Sequence, residues 1–339
     1  MEKYASIEQF KNVVKSVRDY SKKNQLPLPT LKFTGTVKLH GTNASGVVFL
    51  DTNEVQFQSR ERVLSIESDN AGFCMFGERN VDVFRDVVNH IRGFNVADLS
   101  TTKKVIIFGE WCGQGVQKGV GISEIGKKIF VIFNITLVDA EGNRTELNEE
   151  QIAKVSPRGE NDIFCIYQFN TYEIDIDFTN PNASQNTLVD LTLQVEEQCP
   201  VASAFGAKGI GEGIVWWNFQ TGLKMKVKGE KHSASRVKTV KSIAASDIER
   251  MNSAQEFVDS VMTVNRMEQG LYKLQNEMGL DIDVTNTGTF IKWCVGDALK
   301  EERDVIVASA FDMKEITPGL AQRAKDFWFK TINDSVGAN

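Results

Sequence analysis

Residues 31–43, Leu-Lys-Phe-Thr-Gly-Thr-Val-Lys-Leu-His-Gly-Thr-Asn, decide the reading of this chain. The apolar, β-branched run from Leu31 to Val37 predicts a strand. It delivers Lys38 to a tight turn through Gly41. A lysine at the end of such a strand is placed to act as a nucleophile rather than as a solvated charge. Attack on a phosphorus needs the neutral amine, which burial and neighbouring cations favour.

Outward from this stretch, hydrophobic periodicity gives the architecture. Ser6 to Gln9 reads as a capping box, followed by Phe10, Val13, Val14 and Val17 at helical spacing. Gly46 to Leu50 and Val55 to Ser59 flank the turn Asp51 to Glu54 and predict a hairpin. Arg79 to Ile91 predicts one helix. Val105 to Trp111 and Ile129 to Asp139 predict long strands, the second ending in a turn at Ala140 to Asn143. Residues 157–186 read as mixed strand and loop. Thr187 to Gln198 predicts a helix, and Gly213 to Trp217 with Gly222 to Lys228 a late strand pair. Beyond Ile243 the pattern is helical throughout. A capping box at Ser246 to Glu249 opens a helix to about Val264, and further helices follow at 266–278, 286–301 and 318–332. Thr317 is the expected cap of the last, with Pro318 in its first turn. The boundary falls near Ser242, dividing the chain into 1–242 and 243–339, with Gly229 to Ser242 as the connector.

Composition sets limits. At 339 residues the chain has room for two domains of about 100–200 residues each. It is 41% hydrophobic and 25% charged, as an ordinary globular protein is. No apolar stretch approaches the roughly 18 residues of a membrane span, and Met1 to Tyr4 lacks the apolar core of a signal peptide. The five cysteines contain no C-x-x-C pair, which speaks against a disulfide framework or a structural zinc site and for a reducing, cytoplasmic setting. The net charge of −6 is unevenly spread. Basic and acidic residues balance at 29 each over 1–243, whereas 244–339 holds 10 against 16. Thr221 to Ile243 alone carries seven basic residues and one acid, and local charge is what attracts phosphate.

Several groups are candidates for chemistry. Glu110 closes Phe108-Gly109-Glu110 directly after an apolar run, where an acid needs a partner. Gly113 to Lys118 is glycine-rich without Rossmann or Walker spacing. Glu212 lies between Gly211 and Gly213, which let a substrate approach the backbone, and its carboxylate suits Mg²⁺ held jointly with phosphate oxygens and water. Lys224, Lys226 and Lys228 alternate along a strand and share one face, where three like charges repel unless an anion lies against them.

The string Lys38-Leu39-His40-Gly41-Thr42-Asn43, followed in order by Arg60, Phe108 to Glu110, Gly113 to Lys118, Phe130 to Asn134, Glu212 to Val215 and Lys226 to Lys228, resembles the RNA ligase 2 type of ATP-dependent RNA ligase over about residues 30–235. The resemblance implies an α+β fold: a nucleotidyltransferase domain of antiparallel sheets with flanking helices, then a small all-helical C-terminal domain. It implies that Lys38 carries AMP covalently, assisted by Lys226, Lys228 and Arg60. Arg62 is the alternative should the register differ by a turn. It assigns nucleotide binding to His40, Asn43, Glu110, Phe133 (stacked on the purine) and Lys226. It assigns metal binding to Glu212, with Mg²⁺ or alternatively Mn²⁺, and RNA contacts to Thr42, Gln117 and Lys118. The implied reaction seals 3′-hydroxyl and 5′-phosphate ends of RNA, at nicks in a duplex. The implied protein is a phage-encoded monomer of the host cytoplasm without a membrane partner. Three positions depart from the pattern. Val37 stands where the family often has Glu, Asn134 where it usually has Asp, and Trp217 where it often has a basic residue.

Overall fold

The computed structural model describes residues 1–229, 254–308 and 311–336. The chain divides into two compact units, Met1–Gly229 and Glu230–Asn339. The expected boundary at Ser242, the connector up to it and the capping box at Ser246 lie outside the described residues.

The first unit is an α+β structure of two sheets. Its strands are β1 (Glu8–Gln9), β2 (Thr30–Lys38), β3 (Thr42–Phe49), β4 (Val55–Ser59), β5 (Thr102–Gly113), β6 (Lys128–Asp139), β7 (Arg144–Glu146), β8 (Ile163–Cys165), β9 (Thr171–Asp177), β10 (Gly213–Trp217) and β11 (Lys224–Lys228). One sheet runs β1-β11-β10-β2-β9, and the other runs β4-β3-β5-β6-β7 with β8 also on β6. All pairings are antiparallel except β1 with β11 and β8 with β6. The stretch 38–42 is the crossover: β2 ends at Lys38 in the first sheet and β3 begins at Thr42 in the second. The alternation of a half-buried strand holds in β11, where Met225 and Val227 are buried and the three lysines are half-buried.

Six helices flank these sheets: α1 (Phe10–Asn24), α2 (Phe73–Arg79), α3 (Val81–Gly93), α4 (Glu149–Val155), α5 (Asn182–Glu197) and α6 (Pro200–Ala204). In α1, Phe10, Val13 and Val17 are buried, as their spacing predicts. Its expected capping box does not form. Glu8 and Gln9 pair instead with Met225 and Lys226 in β11, so Gln9 is the cap position and makes no side-chain cap bond. The single helix expected over 79–91 is two. Asn80 breaks it, with φ −120 and its amide donating back to the Phe76 carbonyl at 2.9 Å, a local bond that competes with the helix. Helix α5 begins five residues earlier than the periodicity predicts.

The second unit is helical over its described residues, with helices Ala254–Val261, Val264–Tyr272, Thr287–Glu301, Arg303–Ala308 and Met313–Val336. Phe257, Met262, Phe290, Cys294, Leu320 and Trp328 are among the side chains of its core. The last helix starts at Met313, not at Pro318. Asp312 caps it, its carboxylate accepting from the Lys314 N–H at 2.9 Å, and Pro318 lies inside the helix. No helix among the described residues is long and apolar enough to cross a membrane.

Candidate active site

Strand register builds the site. Gly213 of β10 pairs with Lys38 on one side and with Lys228 on the other, so both lysines stand on the same face in one row. The next rows back are Thr36-Val215-Lys226 and Thr34-Trp217-Lys224. Gly213 has φ +148, and a Cβ there would lie 2.1 Å from the Val227 carbonyl oxygen, so only glycine fits between the two lysines.

Glu212 is the centre. It is 3% exposed. Its Oε2 accepts from Lys38 Nζ at 2.6 Å and lies 3.1 Å from His40 Nδ1, and its Oε1 is 3.4 Å from Lys228 Nζ. Burial alone would push this carboxyl up, but Lys38, then Lys228 and His40, hold it well below the usual carboxylate range. Two ammonium groups and an imidazole thus surround one buried carboxylate.

Glu110 anchors the crossover turn. Its Oε1 accepts from the Gly41 N–H at 2.9 Å. A Cβ on Gly41 would lie 2.3 Å from the Trp111 carbonyl oxygen, so the turn can pack here only without a side chain. Asn43 is the register partner of Glu110, on the same face of the second sheet. Gln117, at φ +59, reaches the Gly41 carbonyl with its amide at 3.5 Å. Lys38, His40, Asn43, Glu110, Gln117, Glu212 and Lys228 are therefore brought together around residues 38–43.

Other expected residues are placed differently. Thr42 is buried, and its hydroxyl accepts from Asn70 Nδ2 at 3.1 Å. By alternation it lies on the opposite face of β3 from Asn43. Arg60 follows β4 and is exposed, whereas Arg62 is held by the carbonyls of Ser68 and Asp69. Lys118 is exposed beside Gln117. Phe133 is half-buried at a bulge between β5 and β6, its ring 5.1 Å from that of Tyr4. Lys226 shares the row of Thr36 and Val215, and Lys224 is 9% exposed.

Two residues were missed at the sequence level. Tyr4 packs on Phe108 and Phe133, and Glu146 on the short strand β7 takes Lys224 Nζ at 2.5 Å and Asn134 Nδ2 at 3.2 Å. A signal existed for Glu146. Lys224 on a half-buried strand face calls for a counter-ion, and an amide at position 134 can donate to a carboxylate where an Asp cannot.

The unit thus combines two sheets, a lysine at the crossover between them and a cluster of cations round one buried carboxylate. The chain belongs to the RNA ligase family, whose model matches residues 31–228. No curated protein sequence matches the chain. Among solved structures it is similar to a Naegleria gruberi RNA ligase mutant with AMP and Mn, at 14% identity and a TM-score of 0.44. The same ligase as a mutant with ATP and Mn gives 14% and 0.44, and an apo mutant gives 14% and 0.45. Each comparison covers 68% of this chain, which spans 57% of the Naegleria chain.

Proposed function

We propose that this protein is an ATP-dependent RNA ligase of the RNA ligase 2 type, joining 3′-hydroxyl to 5′-phosphate ends through a lysyl-AMP and an RNA-adenylate. The observation that carries the reading is the Lys38-Glu212-Lys228 constellation. It sets a strand-end lysine, backed by a second cation, where a phosphate would be drawn.

In the first step Lys38 Nζ attacks the α-phosphorus of ATP, a P–N bond forms and pyrophosphate leaves. In the second, a 5′-phosphate oxygen of RNA attacks the same phosphorus and Lys38 leaves. In the third, a 3′-hydroxyl attacks the RNA phosphorus, a phosphodiester forms and AMP leaves. Lys228 and Lys226 stabilise charge developing on the α-phosphate, and positioning with electrostatics supplies most of such catalysis. Glu110 and Asn43 hold the ribose, Phe133 supports the purine, and Gln117, Lys118 and Arg60 face the RNA side.

Among the described residues no group of three or more His, Cys, Asp and Glu side chains could hold a metal ion by itself. A divalent cation carried on nucleotide phosphates would take Glu212 as its protein carboxylate. Glu212 would hold such an Mg²⁺, which would supply neutralisation of the triphosphate charge.

The test is transfer of label from α-labelled ATP to the full chain with Mg²⁺, beside Lys38→Ala, then a chase with a nicked RNA duplex and with its all-DNA counterpart. An acid-labile adduct, absent from the variant and discharged into sealed RNA, is the expected result. A wild-type protein shown to be unadenylylated that still takes no label overturns the reading. Faster sealing of the DNA duplex overturns the RNA preference.

A further inference from the structure

The first sheet carries one face on which Lys38 and Lys228 form a row and Lys224 lies two rows further back. Four residues separate Lys228 from Lys224, about 13 Å of strand at about 3.3 Å per residue. The ribose and base of a nucleotide whose α-phosphate sits at Lys38 bridge such a span. The one row between is Thr36-Val215-Lys226, so Val215 lies under such a nucleotide with Lys226 beside it. The second sheet reaches the same place: Tyr4 lies 4.8 Å below Lys224 Nζ and packs its ring against Phe133. Lys224 is thus linked directly to Glu146 and, through Tyr4, to the aromatic assigned to the purine.

The chemistry there is unusual for this chain's own reasons. Trp217 occupies the position where the resemblance often places a base, and Lys224 is its direct cross-strand partner, with Nζ 4.1 Å from the indole ring. Asn134, in place of an Asp, donates to Glu146 Oε1 and so helps hold the counter-ion. Both of these bonds fall on Oε1, and the Glu146 side chain keeps 32% of its surface exposed, so Oε2 has capacity to accept from a ligand.

We propose that Lys224 and Glu146 read the edge of the purine, Lys224 donating to N1 of adenine and Glu146 accepting from its 6-amino group. This rests on the adenylylation reading above and deepens it. Guanine reverses both groups: its O6 would face the carboxylate and its N1–H the ammonium. The pair therefore selects ATP over GTP, by attraction to one base and repulsion of the other.

The experiment is single-turnover self-adenylylation of the full chain with α-labelled ATP, GTP, purine riboside triphosphate (no 6-amino group) and 1-deaza-ATP (no N1 acceptor). Wild type should favour ATP by about 10-fold or more over each, the scale of a hydrogen bond to a charged group. Lys224→Met should remove the 1-deaza penalty. The apolar pair Glu146→Leu with Lys224→Met, which leaves no unpaired charge, should bring all four substrates within about threefold of one another. A double variant that keeps the wild-type ratios overturns the proposal, as does a wild type that uses ATP and both analogues equally, a result that needs no variant to fold. A wild type labelled equally well by ATP and by both analogues sinks the purine reader alone; one labelled by no triphosphate sinks adenylylation and the reader together.

Discussion

Lys38 Nζ donates to Glu212 Oε2 at 2.6 Å across 174 residues of sequence. The bond joins the end of β2 to the residue just before β10 and ties Lys38 to one buried carboxylate. Glu212→Gln keeps the shape and removes the charge. Labelling of Lys38 should fall by at least about 100-fold, the scale seen when a preorganised electrostatic partner is removed. The readout is single-turnover transfer from α-labelled ATP, with circular dichroism confirming the fold. Retention of more than about a tenth of the wild-type rate would remove Glu212 from the mechanism.

The same residue gives a pH signature. Its carboxyl is held well below the ordinary range when folded, against a value near 4.3 in an unfolded chain. The stabilisation from Glu212 is therefore complete above about pH 4.3 and is lost as pH falls through the lower, folded value. Thermal midpoints of wild type and Glu212→Gln, measured from pH 7 to pH 3, should differ most at the upper end and converge at the lower. A gap that widens on acidification would contradict the ion-pair assignment.

Gly41→Ala tests the crossover turn. The new methyl would meet the Trp111 carbonyl oxygen and the Cys112 side chain, and the turn must shift away from Glu110. Overpacking of this kind costs about 1–3 kcal/mol. Urea unfolding should show that loss, and nucleotide affinity should weaken along with it because Glu110 loses its anchor. An alanine variant with wild-type midpoint and affinity would show that the turn tolerates a side chain.

Which parts of this were legible in sequence follows from range. Lys38, Gly41 and Asn43 are local to one strand end, and β2, β3, β5 and β6 are long apolar runs, so their pattern survives without tertiary knowledge. Glu212 and the β11 lysines were readable as charged groups on strands. What was not readable is that Gly213 stands between Lys38 and Lys228, because register across three strands is set by packing rather than by any one segment. Glu146 was lost for a related reason. β7 is three residues long, all exposed, and carries no periodicity. At Asn80 and Asp312, a single polar side chain bonding its own backbone outweighed the hydrophobic pattern that set the expected helix ends.

Asn134 makes a sharper claim about the departures from the family pattern. It is fully buried, donates to Glu146 and accepts from the Thr136 hydroxyl at 2.8 Å. Asn134→Asp would set two carboxylates against each other around one lysine. The expected loss is about 2–4 kcal/mol by denaturant unfolding, that of a broken buried hydrogen bond with an added uncompensated charge. Combining it with Glu146→Gln should recover part of this, since the amide can donate to the new carboxylate. Strictly additive losses would show that positions 134 and 146 do not interact.

The helical unit carries its own buried charge network, and it separates two ways of losing stability. Arg266 donates to Asp297 at 2.9 Å and to Glu302 at 3.1 Å, and Glu302 is 1% exposed. Arg266→Met removes the cation and leaves a buried carboxylate without its counter-charge, which costs about 3–5 kcal/mol. Replacing all three residues together, Arg266→Met with Asp297→Leu and Glu302→Leu, removes the whole desolvation burden and should restore most of that loss. The order of stabilities, wild type near the triple variant and both above the single one, is what calorimetry should find. A triple variant as unstable as the single one would mean that the network holds the helices Val264–Tyr272 and Thr287–Glu301 together through its geometry, beyond any balance of charge.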